Sequence, residues 1–126
     1  MIINTHHFGE VDFNSENILN FQNGLFGFED MKEFLLLRVG DDLFYWLISV
    51  KNPDIAFPLI GLRIIDDEFP EEPENEAFGI VTLNRDPLKI TVNLKAPVYI
   101  NQEKKTGYQK ILDFDRFNID YRLFVE

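Results

Sequence analysis

From Lys89 to Asn101 the chain reads KITVNLKAPVYIN, with apolar side chains on every second position. Ile90, Val92, Leu94, Ala96, Val98 and Ile100 alternate with Lys89, Thr91, Asn93, Lys95 and Tyr99. A period of two predicts an extended strand with one buried face. Pro97 cannot donate to a ladder, so it predicts an edge position or a bulge and a bend partway along. Four other stretches are continuous apolar runs: FLLLRV (Phe34 to Val39), LFYWLISV (Leu43 to Val50), IAFPLIGLRII (Ile55 to Ile65) and FGIVTL (Phe78 to Leu83). Each is rich in β-branched and aromatic residues and bounded by turn formers such as Lys51-Asn52-Pro53-Asp54 and Asn84-Arg85-Asp86-Pro87, so each predicts a strand. NQEKKTG, Asn101 to Gly107, predicts a wide hairpin leading into YQKILDF, and IDYRLFVE predicts a final strand. Helix is scarce. Asp30 to Glu33 predicts a single turn, and SENIL at Ser15 a capped turn or a strand entry. The expected fold is all-β, with little helix and short strands spaced as in a sandwich or barrel. At 126 residues the chain supports one core, hence one domain over 1–126.

Charge changes this picture in one place. The chain carries 22 acids against 12 bases, a formal charge of -10, and seven of those acids fall in DDEFPEEPENE, Asp66 to Glu76. Outside it 15 acids face 12 bases, so the acidity is local. The bases are scattered, with Lys104-Lys105 the one adjacent pair, and no basic stripe exists to grip phosphates; direct nucleic-acid binding is not expected. No cysteine is present, which excludes disulfides, thiolate metal sites and cysteine nucleophiles. MIINTHHFGEVDF has neither a basic leader nor an apolar run, so neither a signal peptide nor a membrane anchor is expected, and the reading is cytoplasmic.

Candidate chemistry is thin. A calcium loop starting at Asp66 needs glycine at its sixth position, where Glu71 stands, and Pro70 and Pro73 restrict the backbone. The run is then either a solvated connection or a surface that meets a basic partner. His6 and His7, adjacent on an extended segment, point to opposite faces and cannot chelate one ion together. Neither Ser15 nor Ser49 sits in a nucleophile elbow. Asp66 and Glu68 could share a face as an acid pair, but the neighbouring prolines oppose it. In NGLFGFED, Gly24 and Gly27 predict a tight turn that lets Leu25, Phe26 or Phe28 plug a core or a partner groove. No enzyme and no cofactor are expected. The aromatic content leaves one alternative, a small barrel carrying an apolar ligand inside.

The order FQNGLFGFED, LFYWLISVKNPDIAFPLI, VTLNRDP and TVNLKAPVYIN followed by GYQKIL resembles the flagellar assembly factor family known as FliW, from Gly9 to Leu123. Two departures stand out: family members often carry proline where Phe26 lies, and the Gly61 to Ala77 connection is shorter here. The resemblance implies a compact β-barrel-like, non-enzymatic cytosolic regulator. It implies a chaperone-like partner of flagellin awaiting export that also binds CsrA, the dimeric repressor of flagellin translation. CsrA would be antagonised away from its RNA-contacting face, so that flagellin synthesis follows export. Partner contact is expected at Phe26 and Phe28, at Asp54, Phe57 and Pro58 in NPDIAFP, and at Asn93, Lys95 and Pro97 in NLKAP. Glu71 and Glu72 are the candidates within the acidic run.

Overall fold

The computed structural model describes residues 1–70, 72–113 and 117–125. Its strands are β1 (Ile2–Thr5), β2 (Gly9–Asp12), β3 (Leu19–Asn20), β4 (Glu33–Leu37), β5 (Tyr45–Ser49), β6 (Ala56–Gly61), β7 (Glu76–Thr82), β8 (Thr91–Val92), β9 (Val98–Asn101), β10 (Thr106–Gln109) and β11 (Tyr121–Arg122). Strands β4 to β7 pair as antiparallel neighbours. β3 extends this sheet from β4 and meets β10 in a parallel contact, β10 pairs with β9, and β9 returns to β7. Seven strands thereby close into a barrel. At this size the interior is just wide enough for side chains to fill it.

Alternation along each strand sends one set of residues inward and the other outward. Phe34, Leu47, Leu59, Phe78, Val98 and Ile100 fill the barrel with Leu19, Phe21 and Leu25, all of them buried. This packing removes the room that the apolar-carrier alternative needs. A second core lies outside: Ile60 and Val81, the outward neighbours of inward residues, meet Leu62, Phe69, Ile90, Val92, Leu94, Leu112 and Phe117. The β1–β2 hairpin adds a separate two-stranded layer, with His7 and Phe8 against Trp46 at ring-centroid distances of 4.4 and 6.0 Å.

The four apolar runs all contain strands, and Asn101 pairs with Thr106 across the expected hairpin. Three local expectations are corrected. No helical turn forms over Asp30 to Glu33; a turn at Glu29 and Asp30 leads straight into β4. The run Ile55 to Ile65 stops being a strand at Gly61, and Leu62–Ile65 (α1) coils once, placing Leu62 and Ile65 in the outer core. A helix puts positions three apart on one face, which a strand does not.

KITVNLKAPVYIN is two strands, β8 and β9, laid along the same side of β7. Val92 faces Val81 and Val98 faces Phe78, so six steps on this side match three on the other. The surplus is looped out at Asn93 to Pro97, and because it is an odd number it reverses the phase of the alternation. Ile90, Val92 and Leu94 therefore face the outer core, while Val98 and Ile100 face the barrel interior.

Candidate functional site

The glycine-phenylalanine loop between β3 and β4 closes one end of the barrel. Phe28 N–H donates to Leu25 C=O (2.8 Å), and Gly27 at φ +84° supplies the left-handed residue that a tight turn of this kind requires. Gly24 is more constrained. Its φ is +63°, and a Cβ there would lie 2.5 Å from the Phe28 carbonyl oxygen. This geometry turns Leu25 into the barrel as a plug and leaves Phe26 50% exposed and Phe28 37% exposed.

Several expected contact residues gather around that loop. Phe28 stands edge-on to Phe57 with centroids 5.1 Å apart, and Phe57 is half-buried over Phe34. The β5–β6 turn bearing exposed Asp54 lies alongside, since Val50 N–H donates to Glu33 C=O (3.0 Å). Gln109 joins the loop to the bulge: its Oε1 accepts from Phe26 N–H (2.9 Å), and its Nε2 donates to Ala96 C=O (2.9 Å). Nothing in the sequence pattern marks Gln109, because its role depends on the β9–β10 hairpin bringing it beside a loop 83 residues away.

Other expected residues serve the fold. Asn93 Oδ1 accepts the N–H groups of Lys95 (2.9 Å) and Ala96 (3.0 Å), so this side chain shapes the bulge. Pro97 is buried, which removes it from any contact surface, and Lys95 C=O accepts from Leu112 N–H (2.7 Å). Pro58 faces outward, opposite Trp46 in the register, away from inward-facing Phe57. Glu71 lies outside the described residues.

The acidic run is a strap fastened to the barrel wall more than a free loop. Phe69 is buried in the outer core, Glu72 pairs with Lys110, and Glu74 pairs with Lys104 at 3.1 Å. Beneath it lies Tyr99, wholly buried, whose hydroxyl donates to Pro70 C=O (3.3 Å) and whose ring stacks on Tyr108 and meets Lys110. Burial first, and then the Glu72 carboxylate, push the Tyr99 phenol up to about 12. Among the described residues no group of three or more His, Asp or Glu side chains could hold a metal ion.

Glu76, at the end of the strap, is shifted the other way from a paired acid: desolvation raises its carboxyl above the usual value. An acid raised in the fold is best tolerated protonated, so its contribution is fully present below the unfolded value of 4.5 and is lost as pH climbs through the raised value. Glu76→Gln, which mimics the neutral form, is expected to melt above the parent at pH 7 and together with it near pH 4. Thermal melts at the two pH values check this.

A family model described as "FliW protein" matches residues 2–123. The flagellar assembly factor FliW of Caldicellulosiruptor saccharolyticus is 38% identical, the alignment covering 98% of this chain and 90% of that protein. The flagellar assembly factor FliW of Caldanaerobacter subterraneus subsp. tengcongensis is 35% identical over 100% of this chain and 95% of its own length. A crystal structure of the flagellar assembly factor FliW superposes with a TM-score of 0.90 at 28% identity, covering 100% of this chain and 99% of that one.

Proposed function

Since the chain belongs to the FliW family of flagellar assembly factors, we propose that it works in the cytoplasm, without catalysis, by holding flagellin and, when flagellin is exported, binding and antagonising the translational repressor CsrA. The family match over nearly the whole chain carries this reading. The surface chemistry supports it. Phe26 and Phe28, backed by Phe57, form an aromatic rim at the barrel end, and exposed aromatic anchors of this kind concentrate binding energy. We assign flagellin to that rim.

CsrA binds RNA and is therefore basic, so an acidic partner attracts it over distance. Glu72 and Glu74 already have lysine partners, whereas Asp67 and Glu68 are exposed and take part in none of the ion pairs among the described residues. Replacing Asp67 and Glu68 by their amides should slow CsrA association at low salt more than replacing Glu72 and Glu74, as read by stopped-flow at two ionic strengths. No helix among the described residues is long and apolar enough to cross a membrane.

Calorimetry with purified flagellin and, separately, purified CsrA tests the reading. Saturable binding of both is expected, and binding of neither at micromolar concentrations would remove it. Phe26→Ser should weaken flagellin about tenfold or more, as loss of an interface anchor does. Its melting point should stay within about 2 °C of the parent, because the ring is half in solvent.

A further inference from the structure

At the other end of β4 to β6 from the aromatic rim, the strap and the β4–β5 connection enclose an open cleft of about 820 Å³. That size is within the range of about 300–1,000 Å³ typical of ligand sites. Its lining mixes charged and apolar residues, the apolar part coming from Leu43 and Tyr45 on the β4–β5 side, Gly61 and Ile64 from β6 and α1, and Ala77 at the start of β7. Ile64 is 67% exposed although Leu62 and Ile65 of α1 face the outer core, and Leu43 is exposed as well.

The polar groups at the cleft are unevenly occupied. Arg38 donates from Nε to Asp42 C=O (2.8 Å) and from Nη1 to the Tyr45 hydroxyl (3.0 Å), with its guanidinium over the Tyr45 ring. Arg63 donates to Phe69 C=O (2.8 Å). The cationic donors are thus committed. Glu72 and Glu74 are neutralised by Lys110 and Lys104, but the carboxylates of Asp41, Asp42 and Glu76 take part in no ion pair or hydrogen bond among the described residues. Glu76 is exposed as a residue, with its carboxylate partly desolvated. The cleft therefore offers apolar surface and open acceptors, and whatever fills it must bring aliphatic carbon and N–H donors together.

We propose that this cleft receives an extended segment of a partner protein that presents a lysine or arginine beside an aliphatic side chain, the cation meeting Glu76 and the Asp41–Asp42 pair and the aliphatic group packing on Leu43, Tyr45 and Ile64. The site is separate from the aromatic rim, so it does not depend on the assignment of flagellin to that rim or on the identity of CsrA as a partner.

The test is an NMR titration of the full chain, ¹⁵N-labelled, with a capped nonapeptide in which lysine and arginine alternate with leucine. Two control peptides replace either the basic residues by glutamate or the leucines by serine. Saturable shifts confined to the amides of residues 41–45, 61–64 and 72–77 are expected at about 1 mM peptide, with neither control reproducing them. Glu76→Gln and Ile64→Ser, both at exposed positions, should each weaken the peptide about threefold or more while leaving the remaining spectrum in place. Equal binding of either control, shifts centred on residues 24–28, no shifts at all, or unchanged affinity in both variants would overturn the proposal.

Discussion

Gly24→Ala is expected to lower the melting temperature by roughly 10 °C and to abolish the aromatic rim, although it adds a single methyl group. Two penalties combine. A non-glycine residue at φ +63° costs about 1–2 kcal/mol, and a Cβ at 2.5 Å from Phe28 O and 2.8 Å from Glu29 Cα meets backbone that cannot rotate away, adding about 1–3 kcal/mol. Gly27→Ala separates the two. Gly27 is also left-handed, at φ +84°, but nothing lies within 4 Å of its would-be Cβ. It should lose only the conformational part, about 1–2 kcal/mol. Denaturant melts of the two variants side by side give the difference directly. Because Leu25 plugs the barrel from the same turn, the Gly24 variant should also lose flagellin affinity far beyond what Phe26→Ser loses.

Phe21→Ala carries the second large expectation, a loss of about 3–5 kcal/mol from a wholly buried ring. Phe21 lies edge-on to Phe34 at 5.0 Å, and its ring fills the space over Gly107, whose hypothetical Cβ would come within 2.2 Å of it. Gly107 belongs to β10 and Phe21 follows β3, the two strands whose parallel contact helps close the barrel. Gly107→Ala alone should lose about 1–3 kcal/mol by overpacking. In the double variant the added methyl enters the space the ring vacates, so the summed loss should fall short of the two singles by more than about 1 kcal/mol. Additive losses would show that the two positions do not press on one another at the closure.

These positions show what could be read from residues in order along the chain. Strand identity was legible because each apolar run is short, β-branched and bounded by turn formers, and Pro97 marked the place where β8 and β9 part. The reversal of phase there was not legible, since an uninterrupted alternation from Ile90 to Ile100 looks the same whether it faces one core or two. Only the six-against-three pairing along β7 shows that the surplus at the bulge is odd. The single turn of α1 was hidden inside an apolar run for a related reason: Leu62 and Ile65 suit either structure locally, and the outer core decides between them.

The contact residues divide along the same line. Phe26 and Phe28 stood out because two glycines force them into a turn, a local signal. Asn93 and Pro97 stood out equally as sequence, yet one shapes the bulge by accepting the N–H groups of Lys95 and Ala96 and the other is buried. The acidic run predicts a solvated connection or a surface for a basic partner; the fold adds that Lys104 and Lys110, some thirty to forty residues further on, fasten it over Tyr99. Charge counted along the chain does not reveal a pairing across the barrel wall.

The central claim is a switch between two partners, and it is tested most directly on CsrA bound to a fluorescently labelled flagellin leader RNA. Adding this protein should release the RNA in a saturable way, and adding purified flagellin afterwards should restore the bound signal. RNA that stays on CsrA at saturating protein, or release that flagellin does not reverse, would contradict it.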